Sequence, residues 1–148
     1  MLSKKLFYAV EAVLFIAYNG GSGPISGRDI ATRQGLPPRY LEQLMQKLVR
    51  ARILRGIRGP HGGYLLARER RRITVGDICH ALTEDKDDTH MKGYDGTKLG
   101  EKIVLPVWEN AHRQTMDYLK QVNLAELCEQ ALSQHIKKET TEKMDFAI

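Results

Sequence analysis

Between Ile53 and Ala67 the chain doubles back on itself. The runs Ile53-Leu54-Arg55-Gly56-Ile57-Arg58 and Tyr64-Leu65-Leu66-Ala67 flank Gly59-Pro60-His61-Gly62-Gly63, a tip whose glycines and proline force a turn, and together they predict a two-stranded hairpin. The segments on either side follow helical periodicity instead. The expected fold class is therefore mainly α with a small two-stranded wing.

Pro37-Pro38 opens the helix before the hairpin, where proline is tolerated because first-turn amides have no intrahelical partner, and that helix runs to about Ala51. Leu41, Leu44, Met45 and Leu48 recur at i, i+3, i+4 and i+7, while Arg39, Glu42, Gln43, Gln46, Lys47 and Arg50 occupy the other side. One face packs and the other is free to read something. Upstream, Ser26 with Asp29 has capping-box spacing and opens a short helix, Gly27 to Gln34, closed by Gly35. Residues 3–19 are apolar nearly all round and stop at Asn19-Gly20-Gly21, which predicts a central helix. Lys4 and Lys5 ahead of this run imitate a signal peptide, but Glu11 interrupts it, no small-x-small cleavage site follows, and about 18 unbroken apolar residues would be needed to span a membrane. Helix, short helix, amphipathic helix and hairpin, in that order, make a winged helix-turn-helix.

Charge divides the chain in the same place. Residues 1–75 hold 14 Lys and Arg against 4 Asp and Glu, and residues 76–148 hold 9 against 14. A basic half of +10 joined to an acidic half of −5 implies that the winged end meets a polyanion. Thr74 with Asp77 repeats the capping spacing at the start of a helix reaching about Leu82. Residues 83–101 lack periodicity and contain three glycines, which predicts a long loop of the sensing kind. From about Lys102 to Val122 a long helix carries Val104, Trp108, Ala111, Thr115, Tyr118 and Val122 at alternating four and three spacing, a stripe suited to a dimer mate. Asn123 with Glu126 caps a last helix to about Ile136, and the polar tail is expected to fray. The expected division is a DNA-binding domain (1–82), a loop (83–101), dimerisation helices (102–136) and a tail (137–148).

Long polar side chains on one helix face can reach base edges in the major groove: Arg39 can pair with guanine, Gln43 with adenine, and Glu42 can accept from cytosine. Arg58, beside a glycine-rich tip, is the natural minor-groove finger. Arg28, Arg33, Lys47, Arg50, Arg52 and Arg55 suit phosphates, which position a protein without choosing a sequence. Tyr40, Gly59, His61, Gly62, Gly63 and Tyr64 complete the expected backbone contacts. No nucleotide-binding glycine motif, paired carboxylates or nucleophile-base pattern stands out, so an enzyme is not expected.

The opening Ser3 to Ala9, Tyr40-Leu41-Glu42-Gln43-Leu44, the wing Arg58-Gly59-Pro60-His61-Gly62-Gly63-Tyr64-Leu65-Leu66, and Ile73-Thr74-Val75-Gly76-Asp77-Ile78 resemble the Rrf-type bacterial transcription regulators, the group of IscR, NsrR and CymR. The likeness runs from residue 1 to about Leu127. It implies a cytoplasmic homodimer with one winged helix-turn-helix per subunit, a long dimerisation helix crossing its mate, and a roughly palindromic promoter site on double-stranded DNA. It also implies base-reading roles for Arg39, Glu42 and Gln43 and a minor-groove role for Arg58, the four residues that the chemistry selects. Many members hold an iron-sulfur cluster on three closely spaced cysteines in the loop before the long helix. Here the matching places hold His90, Gly96 and Lys102, and a position where one subgroup supplies histidine holds Leu105. Thiolates are what such clusters need. The expectation is therefore no metal and no cofactor at the usual loop site, as in the cluster-free branch typified by CymR.

Two cysteines, Cys79 and Cys128, make no disulfide framework and fit a reducing cytoplasm. Cys79 or Cys128 as a redox thiol and His90-Met91, with His80 or His112, as a soft-metal site are the sensing candidates. A helical cysteine is more simply a small buried hydrophobe, and the histidine spacing matches no standard metal pattern. The expected function is a dimeric, sequence-specific DNA-binding regulator, a repressor, whose C-terminal half takes a small-molecule, redox or protein signal. A regulator controlled mainly by a protein docking on the acidic half is the alternative.

Overall fold

The structure is a computed structural model, described here for residues 2–83, 91 and 93–139. Helix α1 (Lys4–Asn19) starts where the Ser3 hydroxyl accepts from the Leu6 amide. It runs through the middle of the fold, and α2, α3, α4, α6 and the wing all pack on it. Ala9, Ala12 and Ala17 allow that crowding because their side chains take almost no room. The helix is not covered all round, however: Phe7 is 64% exposed.

Helix α2 (Gly27–Gln34) ends at Gly35, whose left-handed backbone closes the helix through Gly35 N–H to the Thr32 carbonyl and Leu36 N–H to the Ala31 carbonyl. Ser26 does not cap this helix with its side chain, contrary to the capping-box reading. The preceding residue, Ile25, is instead paired with Tyr64 of the hairpin through two backbone hydrogen bonds of 2.8 and 3.1 Å. Helix α3 (Pro38–Arg50) buries Leu41, Leu44, Met45 and Leu48 as the periodicity requires. It closes with Arg52 N–H on Val49 O and Ile53 N–H on Leu48 O, and Arg52 itself takes a φ of 59°. Glycine usually holds that position; a non-glycine residue there costs on the order of 1 kcal/mol.

Strands β1 (Leu54–Ile57) and β2 (Gly63–Leu66) pair antiparallel, with Leu54 opposite Leu66 and Ile57 opposite Gly63. After a single turn of 3-10 helix at Arg70–Arg72 comes α4 (Val75–Leu82), with the full reciprocal capping box of Thr74 and Asp77 at 3.0 Å in each direction.

Helix α5 (Leu105–Gln121) is preceded by a π-helical turn, Gly100–Val104, and the chain is already helical at Lys98, so the loop ends earlier than its sequence suggests. Pro106 has no N–H to offer the Lys102 carbonyl, and the ladder slips by one residue so that Leu105 N–H reaches Gly100 O. Val122 lies beyond the helix in extended backbone, where its carbonyl accepts from Val75. It therefore does not continue the α5 stripe. Helix α6 (Leu124–Ser133), capped by Asn123 as expected, stops before Ile136 because His135 takes a φ of 58° and turns the chain. Its Leu124 and Cys128 are in the same core as α1, α3 and α4.

The first residues of the expected frayed tail are held across the end of α1. The Tyr18 hydroxyl donates to Ile136 O, Glu139 N–H donates to the buried Asn19 side chain at 2.5 Å, and the Lys138 ammonium sits 5.5 Å above the Tyr18 ring. Among the described residues no helix is long and apolar enough to cross a membrane.

Candidate nucleic-acid interface

Helix α3 presents Arg39, Tyr40, Glu42, Gln43, Gln46 and Arg50 to solvent along one side, with Lys47 half-buried at its margin. Arg39, Glu42 and Gln43 belong to the first two turns, the part of a recognition helix that meets base edges. The opposite side is fully engaged: Leu41, Leu44, Met45 and Leu48 are each at most 3% exposed. Burying four such side chains stabilises the helix by roughly 1.5–3 kcal/mol apiece and leaves its polar residues no competing orientation.

The wing tip folds over a hydrogen bond from Gly62 N–H to Gly59 O at 2.9 Å. A side chain at 62 would put its Cβ 2.2 Å from Ile57 O, so only glycine fits the tip. Arg58, Gly59, Pro60 and His61 are exposed there. Gly63 and Tyr64 face the body of the domain instead. A Cβ at 63 would lie 2.3 Å from the Ile25 carbonyl, and the Tyr64 ring lies against Gly27 at the start of α2. Burial pushes the Tyr64 hydroxyl above its usual pKa, and the Glu42 carboxylate adds to that, so wing and recognition helix share one electrostatic neighbourhood. Gly63 and Tyr64 therefore have a structural role in seating the wing on the body of the domain.

Arg28 on α2, Arg52 after α3 and Arg55 on β1 are exposed. Arg33 is committed elsewhere: it pairs with Asp29 at 3.3 Å and with Glu139, and its guanidinium lies 5.4 Å over the Phe15 ring. Glu139 is too distant in sequence for that competition to have been foreseen. Sequence reading also missed Arg68, whose Nε and Nη2 donate to the carbonyls of Arg52 and Ala51 at 3.1 Å while Nη1 lies 3.8 Å from Asp77. That one side chain ties the end of α3 to the cap of α4.

Helix α5 buries none of its residues. Val104 and Trp108 of the expected stripe are open, joined by Leu99, Ile103 and Val107, all between 49% and 72% exposed. Ala111 and Tyr118 are exposed as well, and Thr115 is half-buried with its hydroxyl on Ala111 O. Leu99 went unread because it was assigned to the loop, and Ile103 because it fell beside the stripe that starts at Val104. On the opposite side α5 meets α4, and between them His80, Thr83, His112, Arg113, Met116, Asp117 and Lys120 line a groove of about 320 Å³.

Of the sensing candidates, Cys79 and Cys128 are both buried, and burial pushes the Cys79 thiol up, away from the thiolate that redox chemistry uses. Met91 is half-buried, and His90 lies outside the described residues.

A polar recognition helix, a glycine-tipped basic wing and an apolar helix face left open define a class of protein, the winged helix-turn-helix regulators of transcription. The family model described as Rrf2, iron-dependent transcriptional regulator, matches residues 2–130, and the chain belongs to that family. The HTH-type transcriptional regulator IscR of Sodalis glossinidius is 37% identical over 127 residues, spanning 85% of this chain and 77% of that protein. Among solved structures, T. potens IscR superposes with a TM-score of 0.72 at 34% identity, covering 94% of this chain and 93% of that one. CymR of B. subtilis, described as the global cysteine regulator, gives 0.69 at 28% identity, covering 87% and 96%. The chain is a DNA-binding transcriptional regulator of the IscR and Rrf2 type, and not an enzyme.

Proposed function

We propose that the chain works in the cytoplasm as a homodimeric repressor on a palindromic promoter site. The observation that carries this reading is the set of exposed apolar side chains from Leu99 through the π-helical turn and along α5 to Tyr118, a surface that a second copy would cover. Two α3 helices related by that two-fold would enter major grooves about 34 Å apart, one turn of duplex. Arg39, Glu42 and Gln43 would read bases, Arg58 would enter the minor groove, and Arg28, Lys47, Arg50, Arg52, Arg55 and the tip residues would hold phosphates.

The family's description implies iron, and the donors of this chain do not fit a three-thiolate cluster. Its two cysteines are core residues on α4 and α6, and Gly96, Lys102 and Leu105 bring no thiolate to the segment before α5. The reading is therefore a regulator without that cluster. For the signal it gives a place rather than a ligand: the groove between α4 and α5, on the side of α5 away from the apolar stripe.

Selection of binding sites from random duplex, paired with sedimentation of the free protein, tests the proposal. A dimer that enriches a two-fold symmetric sequence supports it. A monomer, or equal binding to every duplex, refutes it, and a reporter placed behind the selected site distinguishes repression from activation.

A further inference from the structure

Three arginines have no part in the interface described so far. Arg70, Arg71 and Arg72 form the one-turn 3-10 helix after the wing, and all three are exposed. Among the described residues none of their side chains has an ion pair or a hydrogen bond, although Arg68, two residues before the turn, is engaged. Adjacent like charges repel one another, so the turn costs stability unless something else is gained from it.

Its place in the fold is fixed by Arg68. The same guanidinium that holds the Ala51 and Arg52 carbonyls at the end of α3 lies 3.5 Å from the Arg72 carbonyl. The backbone of the turn is therefore tied through one side chain to Ala51 and Arg52, just after Arg50 ends α3 and before Arg55 in β1. Arg50, Arg52 and Arg55 and the three arginines of the turn are all exposed, so the chain on both sides of this junction carries unburied positive charge, with Glu69 the one acidic residue beside the turn. A 3-10 helix has three residues per turn, so consecutive side chains fan out by about 120° and no more than two can address one strand.

The geometry points to Arg70–Arg72 as a second phosphate-contact surface that grips duplex DNA flanking the site read by α3 and the wing. The inference rests on the DNA-binding reading and deepens it: the partner is the sugar-phosphate backbone outside the read sequence, recognised by charge alone. Guanidinium suits the task because its fork meets phosphate oxygens two at a time.

The test compares a duplex trimmed to the selected site with one extended by about ten base pairs at each end, one further helical turn. Affinity of the full chain is measured across a salt series, since each phosphate contact adds about 0.9 to the slope of log affinity against log salt. Wild type should bind the extended duplex with a slope steeper by about 2 to 4 for a dimer. The triple variant Arg70→Gln, Arg71→Gln, Arg72→Gln should lose that increment while keeping its slope on the trimmed duplex. The corresponding triple lysine variant should restore it, which separates charge from folding. Equal slopes for wild type on both duplexes, or a glutamine variant that keeps the increment, overturns the inference while leaving DNA binding intact. Failure of wild type to prefer its site on the trimmed duplex would instead remove the reading beneath it.

Discussion

Helices α3 and α5 are both amphipathic, yet they use their apolar faces in opposite ways. In α3 the apolar side is closed within the protomer, with Leu41 and Leu48 at 0% exposure, and the polar side faces out. In α5 no residue is buried, and Trp108 is 61% exposed. A helix whose apolar side is satisfied can spend its polar side on recognition, whereas one whose apolar side is open is finished only by another molecule. The same periodicity thus encodes two destinations.

That contrast sets the order of the predictions. Leu41→Ala should cost about 2–5 kcal/mol of folding stability, because it empties a site with no room to collapse, and thermal melts should drop accordingly. Trp108→Ala should leave the melt of the dilute monomer within about 0.5 kcal/mol and weaken self-association by about 2–4 kcal/mol, read by sedimentation equilibrium. A normal dimer in that variant would mean that α5 is not the seam. Glu42→Ala should relax base choice at one position of each half-site by about 1–3 kcal/mol without altering the fold. Arg58→Ala should weaken binding most on A·T-rich flanks, seen by repeating site selection with each variant. Thr74→Ala, which opens the capping box between the two regions, should cost about 1 kcal/mol in chemical denaturation.

The smallest effect is in alkaline solution. Burial raises the Cys79 thiol above its ordinary value of 9.0, so its contribution is whole below that value and is lost as pH climbs through the raised one. Cys79→Ala should flatten the fall of melting temperature over that range. An unchanged alkaline profile would assign the fall to other groups, Tyr64 first among them.

The two helices also show why some of the molecule was legible in the sequence. The faces of α3 were readable because i, i+3, i+4 and i+7 spacing is local, and the Thr74–Asp77 box because its partners are three residues apart. Arg33 was not, because Glu139 is remote in the chain, and neither was Arg68, whose acceptors are main-chain carbonyls that any sequence would offer. The start of α5 was misjudged for a third reason. The apolar spacing placed the start at about Lys102, but the slipped turn extends the helical backbone back through Leu99 and lengthens the apolar face. Val122 fitted the stripe by spacing alone and was removed by the pairing of its carbonyl with Val75. Tyr64 was placed in the right motif but its packing on Gly27 was not legible, since a tyrosine after two glycines does not reveal what lies beneath it.

Tyr64 has a mechanical corollary. Its backbone is fastened to Ile25, its ring rests on Gly27, and its strand carries the tip that holds Arg58. The wing that carries Arg58 is thus fastened to the start of α2, the helix that packs on α3. On the proposed function, the offset between the groove contacts of α3 and of Arg58 would be set by the protein. On that same proposal, latitude in operator length would come from the seam between protomers or from bending of the duplex.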